Sequence, residues 1–146
     1  MEKQVAVLID GDNISAKYAE SIKQEALQYG NIKVFRLYGS VNSPNTKKWY
    51  PVMPRQGIMP VLQISYASGK SIADQALTID AMDLLHSEGI DVFCIASSDS
   101  DFTKLASRLR ESGKMVIGMG EDKTPLPFRK ACDIFTVLEV LLEDNT

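Results

Sequence analysis

The residues best suited to chemistry in this chain are carboxylates, and they come in a repeated arrangement. Asp10-Gly11-Asp12 follows the apolar run Val5-Ala6-Val7-Leu8-Ile9, and Asp99-Ser100-Asp101 follows Val92-Phe93-Cys94-Ile95-Ala96 after two serines. A continuous apolar run that is β-branched at Val5, Val7 and Ile9 fits a strand buried on both faces, hence a parallel sheet covered by helices. In open α/β sheets the ligand crevice lies outside the carboxyl ends of the strands, where both acid pairs would project. If the two strands are neighbours, roughly 4.8 Å apart, Asp10 faces Asp99 across one crevice. Carboxylates that close either share a proton or hold a cation, and an oxygen-only donor set suits magnesium or manganese. The alternative is that each pair only caps the helix that follows it.

A third set of acids, Asp74, Asp80 and Asp83, falls in the segment 72–87. Ala73, Leu77, Ala81 and Leu84 form its core-facing stripe, with Asp74 at one margin and Asp80 at the other. Asp74 lies in the first turn, where the helix dipole favours a carboxylate, and is expected to be the third ligand. Asp80 lies deeper, either as a metal contact or as a partly buried acid bonded to a neighbouring loop. Asp83 is expected in solvent. Other motifs fail. Gly69-Lys70-Ser71 lacks the first glycine of a phosphate-binding P-loop, which would have to stand at Ile64, and Gly118-Met119-Gly120 has Lys123 where a dinucleotide fingerprint needs its third glycine. His86 is the only histidine, and no serine or cysteine has a partner from which to infer a triad.

The elements that would position these acids alternate. Helical spacing over 15–29 stops at Gly30; strands are expected at 33–38 and 58–64, with a loop at 41–46 and a short broken helix at 47–56, where Pro51 and Pro54 interrupt. A long helix spans 72–87 and a fourth strand 91–96. A helix from Phe102 to about Leu109, a fifth strand at 115–118, a short helix at 128–131, a sixth strand at 134–137 and a terminal helical turn complete the series. The pattern is that of a three-layer α/β/α domain with a mostly parallel, doubly wound sheet, and one domain over 1–146 is expected.

Composition narrows the setting. A hydrophobic share of 45% with 24% charged residues is ordinary for a globular protein, and no apolar run approaches membrane-spanning length. From Lys3 the chain enters a strand directly, unlike a signal peptide, so a cytoplasmic protein with no membrane partner is expected. Cys94 and Cys132 have neither zinc nor disulfide spacing and read as buried thiols. A net charge of -3 excludes a uniformly basic surface but not a local basic face.

Taken together, Val7-Leu8-Ile9-Asp10-Gly11-Asp12-Asn13, Lys70 with Asp74 and Asp80, Ser97-Ser98-Asp99-Ser100-Asp101-Phe102, Thr124-Pro125 and Ala131-Cys132-Asp133-Ile134-Phe135 resemble the NYN domains of the PIN-like nuclease superfamily. The likeness extends over essentially the whole chain and is to the bacterial LabA-like branch, often followed by a LOTUS-type RNA-binding module, which is not expected within these 146 residues. The resemblance implies a strand order of about 3-2-1-4-5 and a metal-dependent ribonuclease using Mg2+ or Mn2+. It implies Asp10, Asp74, Asp99 and Asp101 as catalytic and metal-binding acids, with Asp12 and Asp80 as secondary ligands and Asn13 and Ser98 on the substrate side. RNA, single-stranded, is the implied partner; a homodimer and a LOTUS module in related or longer proteins are further expectations.

Two rival readings stand beside it. Asp10-x-Asp12 with Ser40 also suits a haloacid-dehalogenase-like phosphatase, although the glycine falls between the acids and no lysine stands just before Asp99. A noncatalytic RNA-binding or protein-interaction scaffold is the other. For substrate grip, Lys47, Lys48 and Lys70 are expected to contact phosphates and Trp49 to stack on an unpaired base.

Overall fold

The computed structural model of the chain describes residues 2–64, 72–87 and 89–144. Six strands, β1 (Gln4–Asp10), β2 (Asn31–Ser40), β3 (Met59–Gln63), β4 (Val92–Ala96), β5 (Met115–Gly120) and β6 (Ile134–Val137), form one sheet in the order β3-β2-β1-β4-β5-β6. Every pairing is parallel. The helices are α1 (Ala19–Leu27), α2 (Pro44–Lys47), α3 (Met53–Gln56), α4 (Ile72–His86), α5 (Thr103–Glu111), α6 (Leu126–Ala131) and α7 (Leu138–Asp144). The expected α/β/α architecture with a doubly wound sheet is what the chain adopts.

The apolar run of β1 explains the layering. Val5, Ala6, Val7, Leu8 and Ile9 are all fully buried because alternate side chains feed two separate cores. Val5, Val7 and Ile9 join Ile14, Tyr18, Ile22 and Trp49 on one face, while Ala6 and Leu8 join Leu77, Phe93, Phe102 and Phe128 on the other. Each such side chain contributes about 1.5–3 kcal/mol by burial, so the central strand is held from both sides. Cys94 and Cys132 are buried thiols, and no helix among the described residues is long and apolar enough to cross a membrane.

Several boundaries differ from the sequence reading. The helix expected at 15–29 begins as a 3-10 turn, Ala16–Tyr18, and α1 ends at Leu27. Part of the expected loop at 41–46 is α2, because the Ser43 hydroxyl accepts the Thr46 N–H and Pro44 occupies the first turn, where its missing N–H is harmless. β2 runs from Asn31 to Ser40, extended at its amino end by pairing with β1. The terminal turn is a seven-residue helix. At the sheet edge, β3 carries Pro60, whose lack of an N–H is tolerated on an edge strand and discourages further pairing.

The order of strands sets where function can sit. From β1 the chain winds outward through β2 to β3, then returns by α4 to β4 on the other side of β1. That reversal opens a crevice at the carboxyl ends of β1 and β4. Immediately after β1, Gly11 donates its N–H to the Tyr38 carbonyl at 2.7 Å. A Cβ there would stand 2.7 Å from Leu37 Cδ2 and 2.9 Å from the Tyr38 oxygen. The need for glycine is thus close approach to β2. Gly11→Ala is expected to destabilise the fold by about 1–3 kcal/mol through overpacking, read as a lower urea midpoint. An unchanged midpoint would show that β1 and β2 do not come this close.

Candidate metal centre

Three elements converge on the crevice. Asp10 closes β1, Asp99 precedes the 3-10 turn Ser100–Phe102 after β4, and Asp74 stands in the first turn of α4. One carboxylate oxygen from each lies within 4.8 Å of the other two. Asp10 is 1% exposed, and Asp74 and Asp99 are half-buried.

Burial of Asp10 is compensated by dedicated donors. The Ser97 hydroxyl donates to its Oδ2 at 2.8 Å, and Asn13 Nδ2 lies 3.2 and 3.0 Å from its two oxygens. Ser97 reaches it because the register pairs Ile9 with Ala96, setting the next residues of the two strands side by side. Its hydroxyl also accepts the Asp99 N–H at 3.0 Å, so one buried serine orients two of the three acids. Asp99 Oδ1 accepts the Asp101 N–H at 2.8 Å, a cap on the following turn. Capping and convergence, posed as alternatives by the sequence, coexist at Asp99.

The electrostatics are those of a site short of positive charge. Desolvation lifts the Asp10 carboxyl to about 6; the Asn13 and Ser97 hydrogen bonds work against the shift, and the charges of Asp12 and Asp99 add to it. Desolvation also raises Asp74 well above the ordinary range, followed by the charges of Asp10 and Asp99, a hydrogen bond to the Asp99 carboxyl and the charge of Asp101. Every one of these influences on Asp74 disfavours its ionised form. A divalent cation removes the conflict. The three carboxylates stand close enough together that one oxygen of each could bind the same ion.

Other expected site residues are placed differently. Asp12 is not directed at the crevice: its Oδ1 accepts the Ser40 N–H at 2.9 Å and the Thr46 hydroxyl at 2.7 Å, and its Oδ2 the Ser40 hydroxyl at 3.2 Å. It pins β1 to the start of α2, and Asn45 adds bonds to the carbonyls of Gly11 and Ile14. Asp80 is likewise consumed as a structural acid, accepting from Arg36 at 3.0 Å and from the Tyr38 hydroxyl at 2.6 Å. Burial and Asp80 together push the Tyr38 phenol far up. The expectation that Trp49 stacks on a base is corrected: it is fully buried, and its indole N–H donates to the Ile14 carbonyl at 2.8 Å. Asp101 is exposed beside the triad but outside the set of three. Lys47, the last residue of α2, and Lys48, which follows it, are exposed, and Lys70 lies outside the described residues. Ser98 accepts the Glu121 N–H at 2.9 Å and, with Asn13, lines a cavity beside Asp99. Ser97, which the sequence offers only as part of a motif, proves to be the hydroxyl on Asp10.

The raised Asp10 carboxyl has a signed consequence. Its pKa is 3.8 as an ordinary side chain and about 6 in the fold, so the metal-free folded protein binds the proton more tightly than the unfolded chain does. That contribution is fully present below about pH 4 and is lost as pH rises through about 6, a decline of about 3 kcal/mol. Asp74, shifted the same way, extends the decline upward. Saturating Mn2+ is expected to oppose it by holding the carboxylates ionised, and Asp10→Asn to remove its share. Urea midpoints of wild type and Asp10→Asn, measured with chelator and with Mn2+ across this range, check the point; a metal-free pH dependence identical in the two proteins would falsify it.

The surrounding fold has relatives. A crystal structure of a protein of unknown function from Vibrio parahaemolyticus has a TM-score of 0.73 and 19% identity, over 93% of each chain, which is a likeness of fold. An uncharacterized protein of Methanocaldococcus jannaschii is 26% identical over 125 residues, 83% of this chain; the match spans 49% of that longer protein. Over residues 4–139, strands, crevice and acids included, the sequence matches the NYN domain, and the chain belongs to the NYN domain family.

Proposed function

We propose that the chain is a metal-dependent ribonuclease that hydrolyses RNA phosphodiester bonds at the crevice between β1 and β4. The observation that carries this reading is the meeting of Asp10, Asp74 and Asp99, from three separate elements, within 4.8 Å. Burial makes the company of three carboxylates there unfavourable. Membership of the NYN family supports the same reading.

Asp10, Asp74 and Asp99 would hold one Mg2+ or Mn2+. When bound, such an ion polarises the phosphate, lowers the pKa of water and neutralises charge that develops in the transition state. The protein's own part is positioning. Asn13 and Ser97 fix the Asp10 carboxylate, and Ser97 also sets the backbone of Asp99. Asp101, exposed beside the three acids, adds its charge to theirs. In-line attack by water on the phosphorus, with the 3′-oxygen as leaving group, would give a 5′-phosphate and a free 3′-hydroxyl.

The phosphatase reading loses support from Asp12 and Ser40, which bond to each other instead of facing the crevice. The deciding assay incubates labelled single-stranded RNA, and its DNA equivalent, with Mn2+, Mg2+ or chelator and identifies the product ends. Metal-dependent cleavage of RNA to 5′-phosphate products is expected. Asp99→Asn is expected to lower the rate by about 1,000-fold with helix content unchanged. RNA that is bound but left intact under all conditions would identify a scaffold instead.

A further inference from the structure

The three acids do not occupy the whole crevice. Beside them Asn13, Ser98, Asp99, Ser100, Lys123 and Pro125 line a cavity of about 320 Å3, at the small end of the range of about 300–1,000 Å3 typical of ligand sites. It has room for one nucleoside unit.

The loop that brings Lys123 to this cavity is braced along its length. The Glu121 N–H donates to Ser98 Oγ at 2.9 Å and the Asp122 N–H to the Glu139 carboxylate at 2.9 Å. The Thr124 N–H and hydroxyl both donate to the Glu121 carbonyl. Arg129 donates to the carbonyls of Thr124 and Asp122, while its guanidinium lies 4.8 Å from the centre of the Phe135 ring. Gly120, just before the loop, has no room for a side chain: a Cβ would stand 2.5 Å from the Ser97 carbonyl oxygen and 2.7 Å from Thr124 Oγ1. Amid this bracing the Lys123 side chain is 77% exposed, and its ion pair with Glu121 is long, at 3.7 Å. A tightly held backbone thus carries a weakly engaged ammonium to the lip of an acid-lined crevice.

That combination needs an explanation, because Asp99 and Asp101 repel any anion approaching the centre. We propose that Lys123 is a substrate-positioning residue: it holds the phosphate next to the one being cleaved, and the cavity between it, Asn13, Ser98 and Ser100 seats the attached nucleoside. Its fixed loop lets the ammonium meet that phosphate with little ordering of backbone, so its charge offsets the repulsion where the strand enters. Ser98, already accepting from Glu121, keeps its own O–H to donate, and Ser100 offers a second hydroxyl. The strand admitted this way is single-stranded, one nucleotide per cavity. This inference rests on the ribonuclease reading above.

The test separates the two. Affinity for a labelled single-stranded RNA is measured by anisotropy with Ca2+ replacing Mn2+, and cleavage is measured separately with Mn2+. Lys123→Glu is expected to weaken RNA binding roughly tenfold or more and to make its salt dependence shallower by about 0.7 in the log–log slope, the share of one single-strand phosphate contact. Lys123→Arg is expected to bind within about threefold of wild type, and Lys33→Glu, at the amino end of β2, to leave affinity unchanged. In cleavage, Lys123→Glu should raise KM and leave kcat within about threefold. Wild-type affinity and slope in Lys123→Glu, equal weakening by Lys33→Glu, or no RNA binding by the wild type would each overturn the assignment. Binding that depends on Lys123 without any cleavage would overturn the ribonuclease reading and leave the phosphate grip standing.

Discussion

A carboxylate buried at the end of the central strand is the constraint around which the crevice is arranged. Asp10 is 1% exposed and has two more acids within reach. An ionised group in that position is unfavourable unless hydrogen-bonded and paired. Its neighbours meet the first need: Ser97, at the end of the adjoining β4, and Asn13, three residues farther along its own segment, donate to it. The second need is one that a divalent cation bound by the acid cluster could meet. Among the described residues, the dominant influences on Asp74 all leave negative charge uncompensated.

The two acids of Asp10-Gly11-Asp12 divide their tasks according to the direction in which the chain leaves β1. Asp10 still belongs to the ladder and accepts from Ser97, just past the end of the neighbouring β4. Gly11 then bends against Tyr38, and Asp12 turns toward Ser40 and Thr46 on the other side. With Asn45 it ties the end of β1 to α2, so the floor under Asp10 is fixed by bonds that do not involve it. A comparable division occurs on α4. Asp74, in the first turn, reaches the crevice, whereas Asp80, about a turn and a half later, is held down on β2 by Arg36 and Tyr38. That contact helps seat α4 across β2, and so bears on where Asp74 falls.

On the opposite wall the 121–125 loop is tied to Ser98, Glu139 and Arg129. Adjacent serines thus serve different sides of one site. Ser97 points down to Asp10, while Ser98 points across to Glu121, as expected for successive residues leaving a strand. The acid centre and the cationic lip are thereby joined through a single dipeptide, which keeps the distance between them set by backbone.

Much of this was legible in the chain of amino acids. The five-residue apolar run of β1 required burial on two faces, and that alone demanded a parallel sheet with helices above and below; the repeated acid pairs then fell at strand ends, where the crevice had to be. What local pattern could not decide was the partner of each polar group. Asp12 and Asp80 have the same residue type as the acids of the centre, and only the long-range approach of Ser40, Thr46, Arg36 and Tyr38 consumed them. Trp49 beside two lysines had the look of a stacking platform until Ile14, 35 residues earlier, supplied a buried carbonyl for its N–H. Ser97 gained its role from the register of β1 against β4, a property of two strands 87 residues apart. Periodicity reports which side of an element is apolar; which donor meets which acceptor is set by how distant segments pack, because a hydrogen bond is satisfied at about 3 Å and sequence spacing says nothing at that scale.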